Sequence, residues 1–282
     1  FRIRGGCGVF IEKVNSQYVT PIPSSVYASQ LDEWFVPAEL DNDETYLIGR
    51  GEKSIALIFN HFEFDSRGLN SQRKSAESDG KRLVTLLTKL NFDVRYHVNL
   101  TLDELSKEIE SVAKENHSKR DCLLVMILTK GESGELYARD FSYNDKTIWK
   151  NFDASKVPSL NGKPKVFLFQ SSEGMELVEA VSLQVLSAKK VKKDPDRVIP
   201  KCADFFIYHA PIKEFQSSES EHKSSFFVHE FCSQLEKYAS REDFATILMH
   251  VSRKLSKRLH KTDCMPVSTS TLTKLLYLCK QP

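Results

Sequence analysis

The sequence predicts an α/β fold: one mostly parallel, six-stranded sheet with helices on both faces. Three observations carry that prediction. Residues 54–60 (SIALIFN), 121–129 and 165–170 contain nearly continuous apolar runs of strand length, as strands buried on both faces do. Segments with helical spacing lie between them. Strands that alternate with helices pair in parallel, because each connection must cross a face of the sheet before the next strand begins.

The elements follow in order. Ser54–Asn60 is the first strand, and residues 71–90 form a helix with Leu83, Leu86, Leu87 and Leu90 at helical spacing. Phe92–Val98 alternates apolar and polar residues as a second strand. Thr101 opens a helix that runs to about residue 116; its hydroxyl can cap, and Glu104 three residues on completes a capping-box pattern. Residues 121–129 and 165–170 are the third and fourth strands. Residues 203–209 form the fifth, followed by a loop at 211–224, helices at 225–238 and 241–259, and a last strand at 267–272. No segment repeats internally.

Composition narrows the function. The chain has 282 residues with 40% hydrophobic content, enough for a sizeable core. A net charge of +2 gives no reason to expect nucleic acid or an anionic membrane as partner. The longest apolar run, residues 122–128, falls far short of the roughly 20 residues that span a bilayer, and no signal peptide is evident. The six cysteines include no CxxC pair and no histidine at metal-ligand spacing, so no metal or cofactor is expected, and the compartment expected is the reducing cytoplasm. Residues 1–45 read as a short, irregular leader.

Six segments carry a family resemblance. SIALIFN, HSKRDCLLVMILTKGESGELYARD, SLNGKPKVFLFQSSEG, KCADFFIYHAP, SFFVHEFCSQLEKYASREDFATILMHVSRKL and PVSTSTLTKLLYL follow one another in the order and at the separations of the caspase family. On this ground the chain is identified as similar to caspases from about Thr45 to Tyr277. The resemblance implies a large-subunit-like region at 46–174, an intersubunit linker at 175–200 and a small-subunit-like region at 201–282. It also directs attention to the carboxyl ends of the strands, where ligands of such sheets bind.

Judged by the family motifs, the catalytic residues are missing. The family nucleophile lies in a Gln-Ala-Cys-x-Gly motif; the matching residues here are Gln170, Ser171, Ser172, Glu173 and Gly174, so Ser172 takes the nucleophile's place. The family histidine lies in a Ser-His-Gly motif, matched by Thr129, Lys130 and Gly131, so Lys130 takes its place. A serine hydroxyl lacks the intrinsic nucleophilicity of a thiolate, and a lysine with its usual pKa of about 10.4 accepts no proton at neutral pH. Gly131 remains as an oxyanion-donor position. Two chemical alternatives stand beside this reading: a Ser172–Lys130 dyad, which needs a desolvated lysine, and a Ser172–His209 pair.

The pocket that holds the substrate aspartate in the family uses two arginines and a glutamine, since a guanidinium grips a carboxylate bidentately. Gln170 matches the glutamine, and Arg73 the first arginine. The second falls at Ser217, in a loop without arginine that keeps one aromatic wall residue, Phe215. The linker is also altered. Its candidate cleavage sites are Asp194, followed by Pro195, and Asp196, followed by Arg197, with lysines upstream.

The last strand is kept. Val267, Ser268, Thr269, Ser270, Thr271 and Leu272 match the family strand that pairs across the dimer axis. The resemblance therefore implies a decoy, like the inactive caspases of insects. Such a chain would form a heterodimer with an active caspase paralogue and modulate its activity in apoptosis, with enhancement the first expectation and trapping the alternative. A homodimer is the other pairing open to it.

Overall fold

The strands expected at Ser54–Asn60 (β1) and Phe92–Val98 (β2) form over those residues. Every residue of β1 is buried, and its side chains divide between two cores: Ala56 and Ile58 on one face, Ile55, Leu57 and Phe59 on the other. The same holds for β3 (Leu123–Leu128) and β7 (Lys165–Ser171). This two-sided burial is why the runs read as continuous rather than alternating. The computed structural model describes residues 44–46, 48–49, 53–65, 75–132, 135–171, 202–211, 225–257 and 265–279.

With β8 (Phe205–Pro211) and β9 (Val267–Ser270), these strands make a six-stranded sheet in the order β2-β1-β3-β7-β8-β9. All pairs are parallel except β8 with β9. Gln170 stands between Leu128 of β3 and Ala210 of β8. One face is covered by α1 (Ala76–Lys89), α4 (Phe226–Tyr238) and α5 (Phe244–Ser256), which bury Leu83, Leu87, Phe227, Phe231, Ile247 and Val251. The other carries α2 (Leu102–Ala113), with Leu105, Ile109 and Val112 inward. Full burial of one such side chain is worth about 1.5–3 kcal/mol. The capping box of α2 is formed: Glu104 N–H donates to Thr101 Oγ1 at 3.2 Å, and Thr101 N–H to Glu104 Oε2 at 2.8 Å.

Several boundaries differ from those expected. β8 starts at Phe205 because Asp204 has a φ of 64° and turns the chain. The carboxylate of Asp204 accepts from Tyr46 Oη at 2.7 Å and Thr273 Oγ1 at 2.8 Å. The last strand ends at Ser270, two residues early. Thr271 is drawn onto the turn before β8, where its Oγ1 donates to the Cys202 carbonyl at 2.5 Å, and Leu272 packs against the core. Helix α5 begins at Phe244 because the Asp243 carboxylate caps it, accepting from the N–H groups of Ala245 and Thr246. The small sheet of β4 (Gly131–Glu132), β5 (Glu135–Tyr137) and β6 (Ser142–Tyr143), and the short helix α3 (Lys146–Trp149), were not expected. Elements of two to four residues are too short to display a period. The linker at 175–200 lies outside the described residues. Among those described, no helix is long and apolar enough to cross a membrane.

Candidate functional site

The carboxyl ends of β3, β7 and β8 lie side by side. Pairing of β3 with β7 continues one residue past the strand, where Thr129 N–H donates to the Gln170 carbonyl at 2.9 Å. That bond brings the Thr129–Gly131 segment against the end of β7. Thr129 Oγ1 donates to the Tyr137 carbonyl at 2.5 Å, and Tyr137 N–H to the Lys130 carbonyl at 3.0 Å, so β5 holds the segment from its other side.

Lys130 is 8% exposed, with Nζ 5.4 Å from the centroid of the Phe64 ring. The geometry is that of a cation–π contact. The polar neighbours Glu132 and Ser133 did not foretell this burial; Phe64 comes from the segment after β1 and is remote in sequence. Gly131 has a packing reason to be glycine. A Cβ there would meet Ser171 Cβ at 2.7 Å and the Glu135 carbonyl at 3.0 Å, so β4 can approach β7 only without a side chain.

Gln170 is fully buried, and its Nε2 donates to Ser225 Oγ at 3.0 Å. Ser225, just before α4, donates its N–H to Asp79 Oδ1 at 2.8 Å, and Ser75 Oγ donates to Asp79 Oδ2 at 3.3 Å. A buried polar chain thus joins the end of β7 to the first turns of α1 and α4. Asp79 and Ser225 were not singled out from the sequence. Asp79 lies in RKSAESDG, the segment matched to the family pattern, and Ser225 precedes the apolar start of α4 as a capping residue does.

His209 projects to the opposite face. Its ring stacks on Phe169 with centroids 5.0 Å apart, and its Nε2 lies 3.3 Å from Asp145 Oδ2. Asp145, also missed from sequence, enters through the short α3. Ser172, Arg73 and Ser217 lie outside the described residues.

At the far edge of the sheet, Thr269 pairs with Ile207 and Ser270 with Phe206 in antiparallel register, and all four residues of β9 are exposed. Thr271 N–H donates inward to the Phe205 carbonyl at 2.8 Å. Backbone groups alternate along a strand, so Ser268 and Ser270 present their N–H and C=O groups to the open edge.

The six-stranded, mostly parallel sheet with one antiparallel edge strand is the architecture of the caspase fold. The caspase-domain sequence profile matches residues 53–277. Caspase-1 of Spodoptera frugiperda is 33% identical over 250 residues, covering 85% of this chain and 83% of that one. Caspase drICE of Drosophila melanogaster is 32% identical over 245 residues, covering 82% and 71%. The solved structure of pro-sf-caspase-1 matches with a TM-score of 0.70 at 32% identity, covering 86% of this chain and 96% of that one. The chain belongs to the caspase family.

Proposed function

We propose that this chain is a caspase homologue without peptidase activity, which pairs through β9 with an active caspase and raises that partner's activity in apoptosis. One observation carries the reading. At two adjoining strand ends, joined by the Thr129–Gln170 hydrogen bond, the sequence has Lys130 and Ser172 where the family has histidine and cysteine. Neither replacement supplies the base or the thiolate that acyl transfer to a cysteine enzyme needs.

The two edges of the sheet support the choice of surface. β2 carries Asp93, Arg95 and His97; Arg95 contacts Glu115 at 2.5 Å and Arg120 contacts Asp93 at 3.7 Å. Charges of this kind discourage another strand from pairing there. β9 reads VSTS and carries none. Met265, Val267 and Leu275 are exposed apolar residues on the same stretch of chain. A partner pairing along β9 would cover them, and a dead partner that orders a live one's loops shifts its equilibrium toward the active state.

A second reading has one observation in its favour. His209 beside Asp145 resembles a base with its orienting carboxylate, which a Ser172 hydrolase would use. Against it, Gln170 and His209 point to opposite faces of the sheet. Mixing the purified chain with each active caspase of the same organism and following peptide turnover tests the proposal. Enhanced turnover with at least one of them is expected. Turnover by this chain alone, or no effect on any partner, would refute it.

A further inference from the structure

The core on the α1 face of the sheet is not filled at the amino ends of the strands. A half-open cavity of about 240 Å³ lies there, walled by Ile48, Leu90, Leu278 and Cys279 and by Ser54, the first residue of β1. Leu278 belongs to that core, and Ile48, Leu90 and Cys279 are half-buried side chains packed against it. Lys89, the last residue of α1, and Asp121, two residues before β3, also line the space. The cavity is at the opposite end of the strands from Thr129–Gly131 and Gln170.

Ser54 is the buried polar group of this lining, with 5% of its surface exposed. Side chains alternate along a strand, so it faces the same side as Ala56 and Ile58, toward this core. Among the described residues, none hydrogen-bonds to its hydroxyl. Buried polar groups are nearly always matched, and an exception calls for an explanation. This exception borders a space from which it can be answered. Asp121 is already engaged, its Oδ2 accepting from the Gly49 N–H at 2.8 Å.

The walls decide the class of ligand. A dry apolar cavity of about 150 Å³ admits a benzene ring, so the volume here is ample for one. Burial raises the pKa of Cys279, so its thiol stays neutral and adds a small apolar surface whose sulfur favours an aromatic neighbour. Lys89 and Asp121 bring opposite charges, which favour neither an anion nor a cation, and an ion would be desolvated against the apolar walls. Ser54 calls for one group that donates or accepts a hydrogen bond.

We infer that this cavity binds a small neutral phenol, its ring against Leu90, Leu278 and Cys279 and its hydroxyl on Ser54. A rigid ring loses little conformational freedom on binding. The inference concerns the amino ends of the strands and is independent of pairing through β9 and of the residues at the family's catalytic positions.

The test follows two cysteines, half-buried Cys279 in the cavity and exposed Cys202 outside it. The full chain is treated with iodoacetamide, and the alkylation rate of each is read by peptide mass spectrometry with 4-methylphenol, toluene or 4-methylbenzoate present. The phenol should slow alkylation of Cys279 and leave Cys202 unchanged. Its half-protecting concentration should be about fivefold below that of toluene, the weight of one net hydrogen bond, and 4-methylbenzoate should not protect. Ser54→Ala should bring the phenol to the value of toluene, which still protects. If that variant does not fold, Cys279→Phe, which fills the cavity, should lose the rise in melting temperature that 4-methylphenol gives the parent. No protection of Cys279 overturns the inference, as does equal protection of Cys202. Toluene or the benzoate protecting as well as the phenol overturns it too. So does a phenol preference unchanged in folded Ser54→Ala, or a rise in melting temperature kept in Cys279→Phe.

Discussion

The hydroxyl of Tyr96, on β2, fills the space a side chain at residue 80 of α1 would need: a Cβ built on Gly80 would lie 2.2 Å from Tyr96 Oη and 2.5 Å from its Cζ. The same hydroxyl accepts from Asn60 Nδ2 at 2.9 Å, and Asn60 Nδ2 also donates to the Ala76 carbonyl at 2.7 Å. A missing side chain, a large one and an amide at the end of β1 together seat the first turn of α1. That turn carries Asp79, so the seating reaches Ser225 and Gln170.

Replacing a glycine inside a helix by alanine ordinarily stabilises by about 1 kcal/mol. At this site the sign should reverse. Gly80→Ala should cost roughly 1–3 kcal/mol through overpacking against Tyr96, read as a lower urea midpoint at unchanged slope. Combining it with Tyr96→Leu should give less destabilisation than the two single losses added together. A Gly80→Ala variant as stable as the parent would show that Tyr96 has room to move.

Lys165 offers a pH test. It is 1% exposed, donates to the carbonyls of Leu160 and Lys163 at 3.3 and 2.9 Å, and lies over the Phe205 ring. Burial pulls its pKa down from 10.5 to about 8, against the opposing pull of Asp204. A depressed lysine pKa means the unfolded chain holds more protons between the two values. The contribution of Lys165 to stability is therefore present above pH 10.5 and lost as pH falls through 8. The full span corresponds to on the order of 3 kcal/mol. Buried Tyr46 and Cys122, with raised values, act in the opposite sense at alkaline pH, so the parent must be compared with Lys165→Met. The stability of the parent relative to that variant should rise from pH 7 to 10. A constant difference would place the lysine in water.

Much of this architecture was legible in the sequence, for a physical reason. β1, β3 and β7 are buried on both faces, so apolar runs of strand length mark them within a residue or two, and Leu83 and Leu87 gave α1 away by spacing. Family motifs located Lys130, Gly131 and Gln170 at adjoining strand ends. What stayed hidden came from contacts between residues far apart in the chain. Phe64 lies under Lys130, Asp145 beside His209, and Asp79 joins Ser225 across 146 positions. No local pattern encodes such pairs. The early end of β9 was hidden for the same reason, since the bonds of Thr271 go to Cys202 and Phe205.

The catalytic reading predicts a hard floor. The chain should cleave no aspartyl peptide, and Ser172→Ala should change nothing. Restoring Ser172→Cys with Lys130→His should leave turnover on the order of 100-fold or more below an active relative. The reason is the missing pocket arginine at Ser217: two charge-assisted hydrogen bonds are worth about 1.5–3 kcal/mol each. Adding Ser217→Arg should recover part of the loss. A double variant with full activity would mean that another group holds the aspartate.

The pairing surface can be broken without breaking the fold, because inward and outward backbone groups of β9 belong to different residues. Thr271 N–H is spent on Phe205, whereas Ser270 N–H faces the open edge. Proline at Ser270 therefore removes a donor to the partner and none of the β8 ladder. Its one evident local loss is the side-chain bond from Leu272 N–H to Ser270 Oγ at 3.2 Å, an exposed contact worth about 1 kcal/mol at most. Proline at Thr269 is the matched control. By alternation Thr269 N–H faces Ile207, so Thr269→Pro should damage the monomer itself. Ser270→Pro should keep the parent's circular dichroism and nearly its melting temperature, yet no longer alter the turnover of an active caspase. Thr269→Pro should lose stability as well. If Ser270→Pro folds and still changes the partner's turnover as the parent does, the effect arises on another surface and pairing along β9 is wrong.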